Sequence, residues 1–191
     1  MNEISRGYNK LIIISLVILC VGIGVGSIYL MNTAVENIEH IKEYLSSMFS
    51  GFGENIKRNQ ILKNALIENL LLALFIFISG FFKFCTPAVA FCVARKGFIM
   101  GFTSASVLRS FGLKGLFINM AYLPTIVISI PAFLFFSSIS VKNACCDVGE
   151  RKNFMVSYII IAVIVSLLLC ASAFLEAYIT TSLIKFMAQR L

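Results

Sequence analysis

The chain has 191 residues and a formal net charge of +7, with 59% hydrophobic and only 13% charged residues, about half the charged share of an average soluble domain. At a mean hydropathy of +0.94, it has too few polar side chains to cover the surface of a soluble protein of this size. The composition excludes a soluble enzyme, a nucleic-acid-binding protein and a disulfide-stabilised secreted domain, and predicts an integral membrane protein whose excess cations flank its spans.

We predict one membrane domain over residues 1–191, an all-α polytopic protein with about five transmembrane helices. The first span, 11–31, carries no charge and is long enough to cross a hydrocarbon core of about 30 Å. Gly22 and Gly26 lie four residues apart on one face of this helix. They either allow another helix to approach closely or reflect the ordinary glycine content of a membrane helix.

The long polar segment 32–64 is predicted to be an extracytoplasmic loop. Apolar residues recur within it at steps of three and four positions, namely Val35, Ile38, Ile41, Tyr44, Leu45, Met48, Phe49 and Phe52. This period indicates an amphipathic helix, which lies in the membrane interface or docks on the other spans.

The next two apolar segments differ in regularity. The second span is predicted at 65–82, with Glu68 near its start. The segment 84–108 is divided by Arg95 and Lys96 into two halves, neither of which crosses a bilayer alone. We therefore expect one interrupted span or two re-entrant pieces, with the charges facing protein or a water-filled cavity.

Two further spans complete the predicted bundle. Pro124 and Pro131 fall on one face of the span 115–141 and are expected to bend it in one direction. The last apolar run, 154–184, exceeds one crossing, so it is expected to be a span that leads into an interfacial tail, with Glu176 near its end.

The charges near the span ends bear on orientation and on pairing. Arg6 and Lys10 immediately precede the first span, which favours a cytoplasmic N-terminus. With five crossings, Glu68, Arg109 and Glu176 are expected at one depth near the outer face. Arg109 then pairs with one or both carboxylates, or all three side chains reach out to water.

No catalytic motif is found in the sequence. A single His excludes most acid–base schemes, and there is neither a phosphate-binding Gly-x-x-x-x-Gly-Lys-Ser/Thr loop nor a His-Glu-x-x-His zinc motif. The adjacent Cys145 and Cys146 have no further ligands nearby. We predict no catalytic, cofactor-binding or metal site. Intramembrane charges favour a transporter or channel subunit, whereas the small size and lack of internal symmetry favour a scaffold.

Three short motifs follow one another in the middle of the chain. They are Lys96-Gly97-Phe98-Ile99-Met100-Gly101-Phe102-Thr103, then Phe111-Gly112-Leu113-Lys114-Gly115, and then Leu123-Pro124 with Ile130-Pro131. Together they resemble the core of the stage II sporulation protein M family, in detail over residues 64–140 and in overall plan over the whole chain. The sequence departs from the family pattern at Thr125-Ile126, where Gln-Asn is expected.

The resemblance implies a non-enzymatic membrane component of the engulfment machinery of endospore-forming bacteria. There it holds peptidoglycan hydrolases, the stage II sporulation proteins D and P, at the sporulation septum. Relatives also accompany the maturation and export of circular bacteriocins, so a subunit of an export system is the alternative. The expected partners are the lipid bilayer, those hydrolases and a second copy of the chain, and no nucleic acid.

Nine positions are expected to matter for structure or interaction. They are Gly97, Gly101, Phe102, Thr103, Pro124, Pro131, Glu68, Arg109 and Glu176. Gly97 and Gly101 form a Gly-x-x-x-Gly that we expect to pack, backbone against backbone, beside the second or fourth span. Glycines in a solvent-facing turn are the alternative interpretation.

Overall fold

The computed structural model describes residues 2–33, 39–40, 43, 58–145 and 148–180, and within these ranges it is helical, with no strand. The helices are α1 (Asn2–Met31), α2 (Arg58–Ser79), α3 (Thr86–Phe111), α4 (Leu113–Ala121), α5 (Leu123–Cys145) and α6 (Val148–Leu175). A 3-10 helix, Lys83–Cys85, precedes α3, and a π-helical turn, Glu176–Thr180, follows α6. The predicted amphipathic helix in the loop 32–64 and the interfacial tail after residue 180 lie outside the described residues, apart from Thr33 and a few positions in that loop.

Five of the described helical stretches are long and apolar enough to cross a membrane. They are Asn9–Met31, Leu62–Ser79, Lys83–Phe111, Leu123–Cys145 and Met155–Tyr178. This confirms the all-α polytopic class with five spans. The second helix is shifted towards the N-terminus relative to the predicted span 65–82. It begins at Arg58, among polar residues before the predicted start, and it ends at Ser79, before the predicted end.

The predicted interruption of the segment 84–108 is wrong. Helix α3 continues through Arg95 and Lys96 to Phe111. In lipid, an unwound backbone would leave N–H and C=O groups without partners, whereas a continuous helix satisfies all of them internally. The two cations differ in their surroundings, since Lys96 reaches Asn69 on α2 and Arg95 is exposed.

The chain breaks after this helix rather than within it. Gly112 has a φ of 57°, a conformation that favours glycine, and its N–H donates to the carbonyl of Leu108 at 2.8 Å. A second break at Tyr122 separates the short α4 from α5. The predicted span 115–141 is thus divided, and the membrane-spanning helix starts at Leu123.

The two prolines of this region have different effects. Pro124 lies in the first turn of α5, where its missing N–H would have had no helical partner, so the predicted bend at this position is wrong. Pro131 lies inside α5 and removes one backbone hydrogen bond there.

Helix α5 is the centre of the bundle and contacts α1, α2, α3 and α6. The buried core forms around it from Leu19, Ile76, Val89, Val93, Phe133, Phe136, Ile139, Tyr158, Val165 and Leu169. Helices α1 and α3 run in parallel along one flank, and α2 and α6 lie on the other. We call the side where α1 begins the near side, and the side where it ends the far side.

Candidate functional site

The Gly-x-x-x-Gly of α3 lies directly on α1. A Cβ atom on Gly97 would meet the backbone of Leu19, and one on Gly101 would meet the backbone of Ile23. Both glycines are buried. The expectation of close backbone packing is therefore confirmed, but its partner is the first span, not the predicted second or fourth.

Helix α1 contributes glycines to the same interface. A Cβ atom on Gly22 would lie 3.1 Å from the backbone N of Phe98, and one on Gly26 would meet the Phe98 carbonyl. The hydroxyl of Ser27 lies 3.3 Å from the carbonyl oxygen of Gly101 and donates across the interface. We call these contacts the glycine interface, in which two parallel helices touch backbone to backbone because no side chain separates them.

Aromatic rings cover the outer edge of the glycine interface. The ring of Tyr29 lies 5.9 Å from that of Phe98 and 6.4 Å from that of Phe102, centroid to centroid. Thr103 is exposed and donates its hydroxyl to the carbonyl of Ile99 within the same helix at 2.8 Å. Phe102 thus stabilises the interface, whereas Thr103 makes only a local bond.

Arg109 closes the far end of the same helix pair. Its Nη1 donates to the carbonyl of Leu30 at 2.8 Å and to that of Met31 at 3.1 Å. These carbonyls belong to the last turn of α1, where a cation is favoured, and the carbonyl of Leu30 also accepts from the N–H of Thr33 at 3.1 Å. The predicted pairing of Arg109 with Glu68 or Glu176 is replaced by this cap.

Charged and polar groups from several helices meet between α2, α3 and the π-helical turn. Lys96 lies with its Nζ 3.4 Å from Oδ1 of the buried Asn69. The carboxyl group of Glu176 interacts electrostatically with the charges of Lys96 and Glu68. The same carboxyl group also interacts electrostatically with the hydroxyl of Tyr122. The structure thus brings Glu68 and Glu176 together as predicted, but the cation beside them is Lys96. We call these five residues the central charge cluster.

A second polar group lies at the near side. Three side chains donate hydrogen bonds to carbonyls at the end of α2 and in the turn directly after it: Ser140 to Ile76 at 2.7 Å, Tyr158 to Phe77 at 2.9 Å and Asn143 to Gly80 at 3.0 Å. We call this group the cap cluster. The carbonyls of Ile76 and Phe77 also accept from the N–H of Gly80 at 3.1 and 3.2 Å, so Ser140 and Tyr158 add a second donor at the end of α2.

The cap cluster is fully buried and packed against aromatic rings. Ser140, Asn143 and Tyr158 have no exposed surface. The ring of Tyr158 stacks on that of Phe77 at 5.2 Å and lies 6.2 Å from that of Phe136. Oδ1 of Asn143 is buried and has no hydrogen-bond partner in the described part of the chain. The NH2 group of the Asn143 amide makes the hydrogen bond to Gly80, and this bond fixes the end of α2 against α5.

Sequence reasoning missed the cap cluster. Its signal was a polar run, Ser137-Ser138 with Ser140 and Asn143, inside an otherwise apolar span. A polar side chain at membrane depth indicates a partner inside the bundle, and that rule would have found the group.

The chemistry of these sites is that of helix assembly. The hydrogen bonds of the cap cluster and of Arg109 go to backbone carbonyls. The glycine interface is formed by backbone contacts and by the hydroxyl of Ser27, which also donates to a backbone carbonyl. Within the described ranges, no group of three His, Cys, Asp or Glu residues lies close enough to bind a metal ion.

Comparison with known proteins identifies one related family. The family described as "Stage II sporulation protein M" matches residues 15–181, which includes every site described above. Neither a curated protein nor a solved structure matches the chain.

Proposed function

Because the chain belongs to the stage II sporulation protein M family, we propose that it is a non-enzymatic membrane scaffold of forespore engulfment. In this role it holds the septal peptidoglycan hydrolases, stage II sporulation proteins D and P, at the septum between mother cell and forespore. The observation that carries the proposal is the family match over residues 15–181 of a multi-pass membrane chain.

The arrangement of polar groups supports a scaffold. Ser140, Asn143, Tyr158 and Arg109 are engaged with backbone carbonyls of neighbouring helices, so they hold the bundle together. The lipid-facing surface, by contrast, carries large exposed apolar side chains on every span, which a scaffold can present to membrane-anchored partners.

The test uses an endospore-forming host in which the gene is deleted and then replaced. We expect deletion to stop engulfment, seen with a membrane dye, and to disperse a fluorescent hydrolase D from the septum. Gly101→Leu, which disrupts the glycine interface, should fail to restore either, whereas the matched variant Gly24→Ala should restore both. Hydrolases D and P should copurify with the wild-type chain in detergent.

Two outcomes contradict the scaffold proposal. One is normal engulfment with septal hydrolase in the deletion strain. The other is copurification with an ATPase and a precursor peptide in place of the hydrolases, which would support the export-system alternative. Genome neighbours give a first indication, since sporulation genes and a precursor-peptide gene point to different roles.

We also propose that the near side faces the cytoplasm, supported by Arg6 and Lys10 before the first span. The exposed positions Glu39 and Lys83 lie in the loop after α1 and at the near side, respectively. In a variant without the native cysteines, Glu39→Cys should react with an impermeant thiol reagent in intact cells, and Lys83→Cys only after lysis. The reverse labelling pattern contradicts this orientation.

A further inference from the structure

One cation of the described helices is exposed to the bilayer without a partner. Arg95 lies on the surface of α3, and among the described residues no hydrogen bond or ion pair engages its guanidinium. Its neighbour Lys96 differs, because it reaches the buried Asn69 and belongs to the central charge cluster. Two adjacent cations thus have different surroundings, one inside the protein and one at its lipid-facing surface.

The exposed cation lies close to the centre of the membrane. At 1.5 Å per residue, Arg95 is about 3 Å from the middle of the span Lys83–Phe111. The glycine interface gives the same depth from a second helix, because a Cβ atom on Gly97 would meet the backbone of Leu19, one residue from the middle of the span Asn9–Met31. The edge of the hydrocarbon core is about 15 Å from its centre, so the guanidinium would have to cross most of a leaflet to reach a lipid phosphate.

The described spans contain no carboxylate that serves Arg95 alone. Their two carboxylates are those of Glu68 and Glu176, and both belong to the central charge cluster around Lys96. A second copy of the chain would bring the same two carboxylates, already beside its own Lys96. Because a charge at the centre of the bilayer is unfavourable unless protein neutralises it, a carboxylate from a different membrane protein is the partner that fits.

The surface around Arg95 is suited to contact with another helix. Ala88, Phe91 and Arg95 follow at steps of three and four residues, so they lie on one face of α3. Phe91 is 70% exposed, and Phe84, just before the helix, is 97% exposed, so no described helix covers this face. We call it the Arg95 face. Its apolar residues alone would suit lipid, and the guanidinium in their midst is what distinguishes this face from an ordinary lipid-facing surface.

We propose that the Arg95 face docks a transmembrane helix of another protein that carries one Asp or Glu near its middle. A single segment that crosses lipid must be helical, because its backbone groups have no other partners there. A carboxylate at mid-depth is as unfavourable alone as Arg95 is, and the pair leaves neither charge uncompensated. The inference rests on the proposed scaffold role, because it names the class of membrane anchor that the scaffold holds. Its test uses no hydrolase, so the two proposals can fail separately.

The test measures energy transfer between the labelled chain and synthetic transmembrane helices in vesicles of phosphatidylcholine. The helices are leucine-rich and about 20 residues long, and they carry one Asp at the middle, one Asp near an end, or none. The chain should bind the helix with the central Asp about tenfold more tightly than the other two.

Variants of the chain assign this preference to one side chain. Arg95→Met should bind all three helices equally weakly, and Arg95→Lys should keep part of the preference because it conserves the charge. Lys83→Met is the matched control, since it removes an exposed cation from the end of the same span and should leave the preference unchanged. Glu68→Gln should leave it unchanged as well.

Four outcomes would overturn the proposal. The first is a wild-type chain that binds the central-Asp and uncharged helices equally, or an Arg95→Met variant that keeps the preference. The second is tighter binding by Glu68→Gln, which would mean that Glu68 neutralises Arg95 within the chain. The third is loss of binding when anionic phosphatidylglycerol is added, which would assign the guanidinium to a lipid headgroup. The fourth is energy transfer between two wild-type copies that Arg95→Met abolishes, which would make a second copy the occupant.

Discussion

The glycine interface and the cap cluster hold helices together in opposite ways. In the first, α1 and α3 touch because Gly22, Gly26, Gly97 and Gly101 remove every side chain between the two backbones. In the second, α2 is held against α5 and α6 by donors from side chains that reach its terminal carbonyls. One contact depends on the absence of side chains, and the other depends on their polarity.

The difference follows from where each contact lies along its helices. Gly97 and Gly101 lie in the interior of α3, where the backbone already satisfies its own hydrogen bonds and only van der Waals contact remains to be gained. The cap cluster lies where α2 ends. There the carbonyls of Ile76 and Phe77 share the single N–H of Gly80, and side-chain donors strengthen this weakly bonded helix end. We therefore expect the first region to be sensitive to size and the second to hydrogen-bonding capacity.

The largest effect is expected at Gly101. Its Cβ position is occupied by the backbone of Ile23, which cannot move without shifting α1. Gly101→Leu should therefore destabilise the protein by more than about 3 kcal/mol, and Gly101→Ala by less. The measurement is thermal stability in detergent, together with the amount of protein in the membrane. Wild-type stability for both variants would mean that the interface is not closely packed.

A smaller effect is expected at Asn143, where size is conserved and polarity is lost. Asn143→Leu removes a buried hydrogen bond to the carbonyl of Gly80 and should cost about 2 kcal/mol. Asn119→Leu is the matched control. It removes a similar 3.0 Å bond to the carbonyl of Ser104 at an exposed position, and should cost less because water or a headgroup can replace the amide. Equal costs for the two variants would contradict the role of burial.

The sequence predicted the elements of this comparison unevenly. Long apolar runs predicted about five spans, and the spacing of Gly97 and Gly101 predicted close packing. The partner could not be predicted, because the pairing joins positions more than seventy residues apart and glycine spacing alone does not identify a face. Arg95 and Lys96 led to the prediction of a break in the helix. That prediction considered the free-energy cost of placing charged side chains in the membrane, but not the larger cost of unwinding the backbone in lipid.

Arg109 combines features of both regions, because it lies at the end of the glycine-packed pair but acts through hydrogen bonds. Arg109→Met removes the two hydrogen bonds that Nη1 donates to the last turn of α1. It should destabilise the protein by about 1 kcal/mol, since this end lies near the far side, where water can partly replace them. Arg109→Lys should recover part of the loss. The check is thermal unfolding of the three proteins side by side. If Arg109→Met costs as much as Gly101→Leu, the cap rather than the glycines holds α1 to α3.

The smallest effect is expected at Gly24, and it tests whether position or residue type matters in α1. No atom lies within 4 Å of a Cβ placed on Gly24, whereas one on Gly22, two residues earlier, meets the backbone of α3. Gly24→Ala should leave stability unchanged or raise it by up to about 1 kcal/mol, because alanine restricts the unfolded chain and favours the helix. Gly22→Ala should lower stability in the same assay. If the two variants lose equal stability, the glycines of α1 act through helix flexibility. If only Gly22→Ala is destabilised, close backbone contact holds the helix pair, and size is the property on which this interface depends.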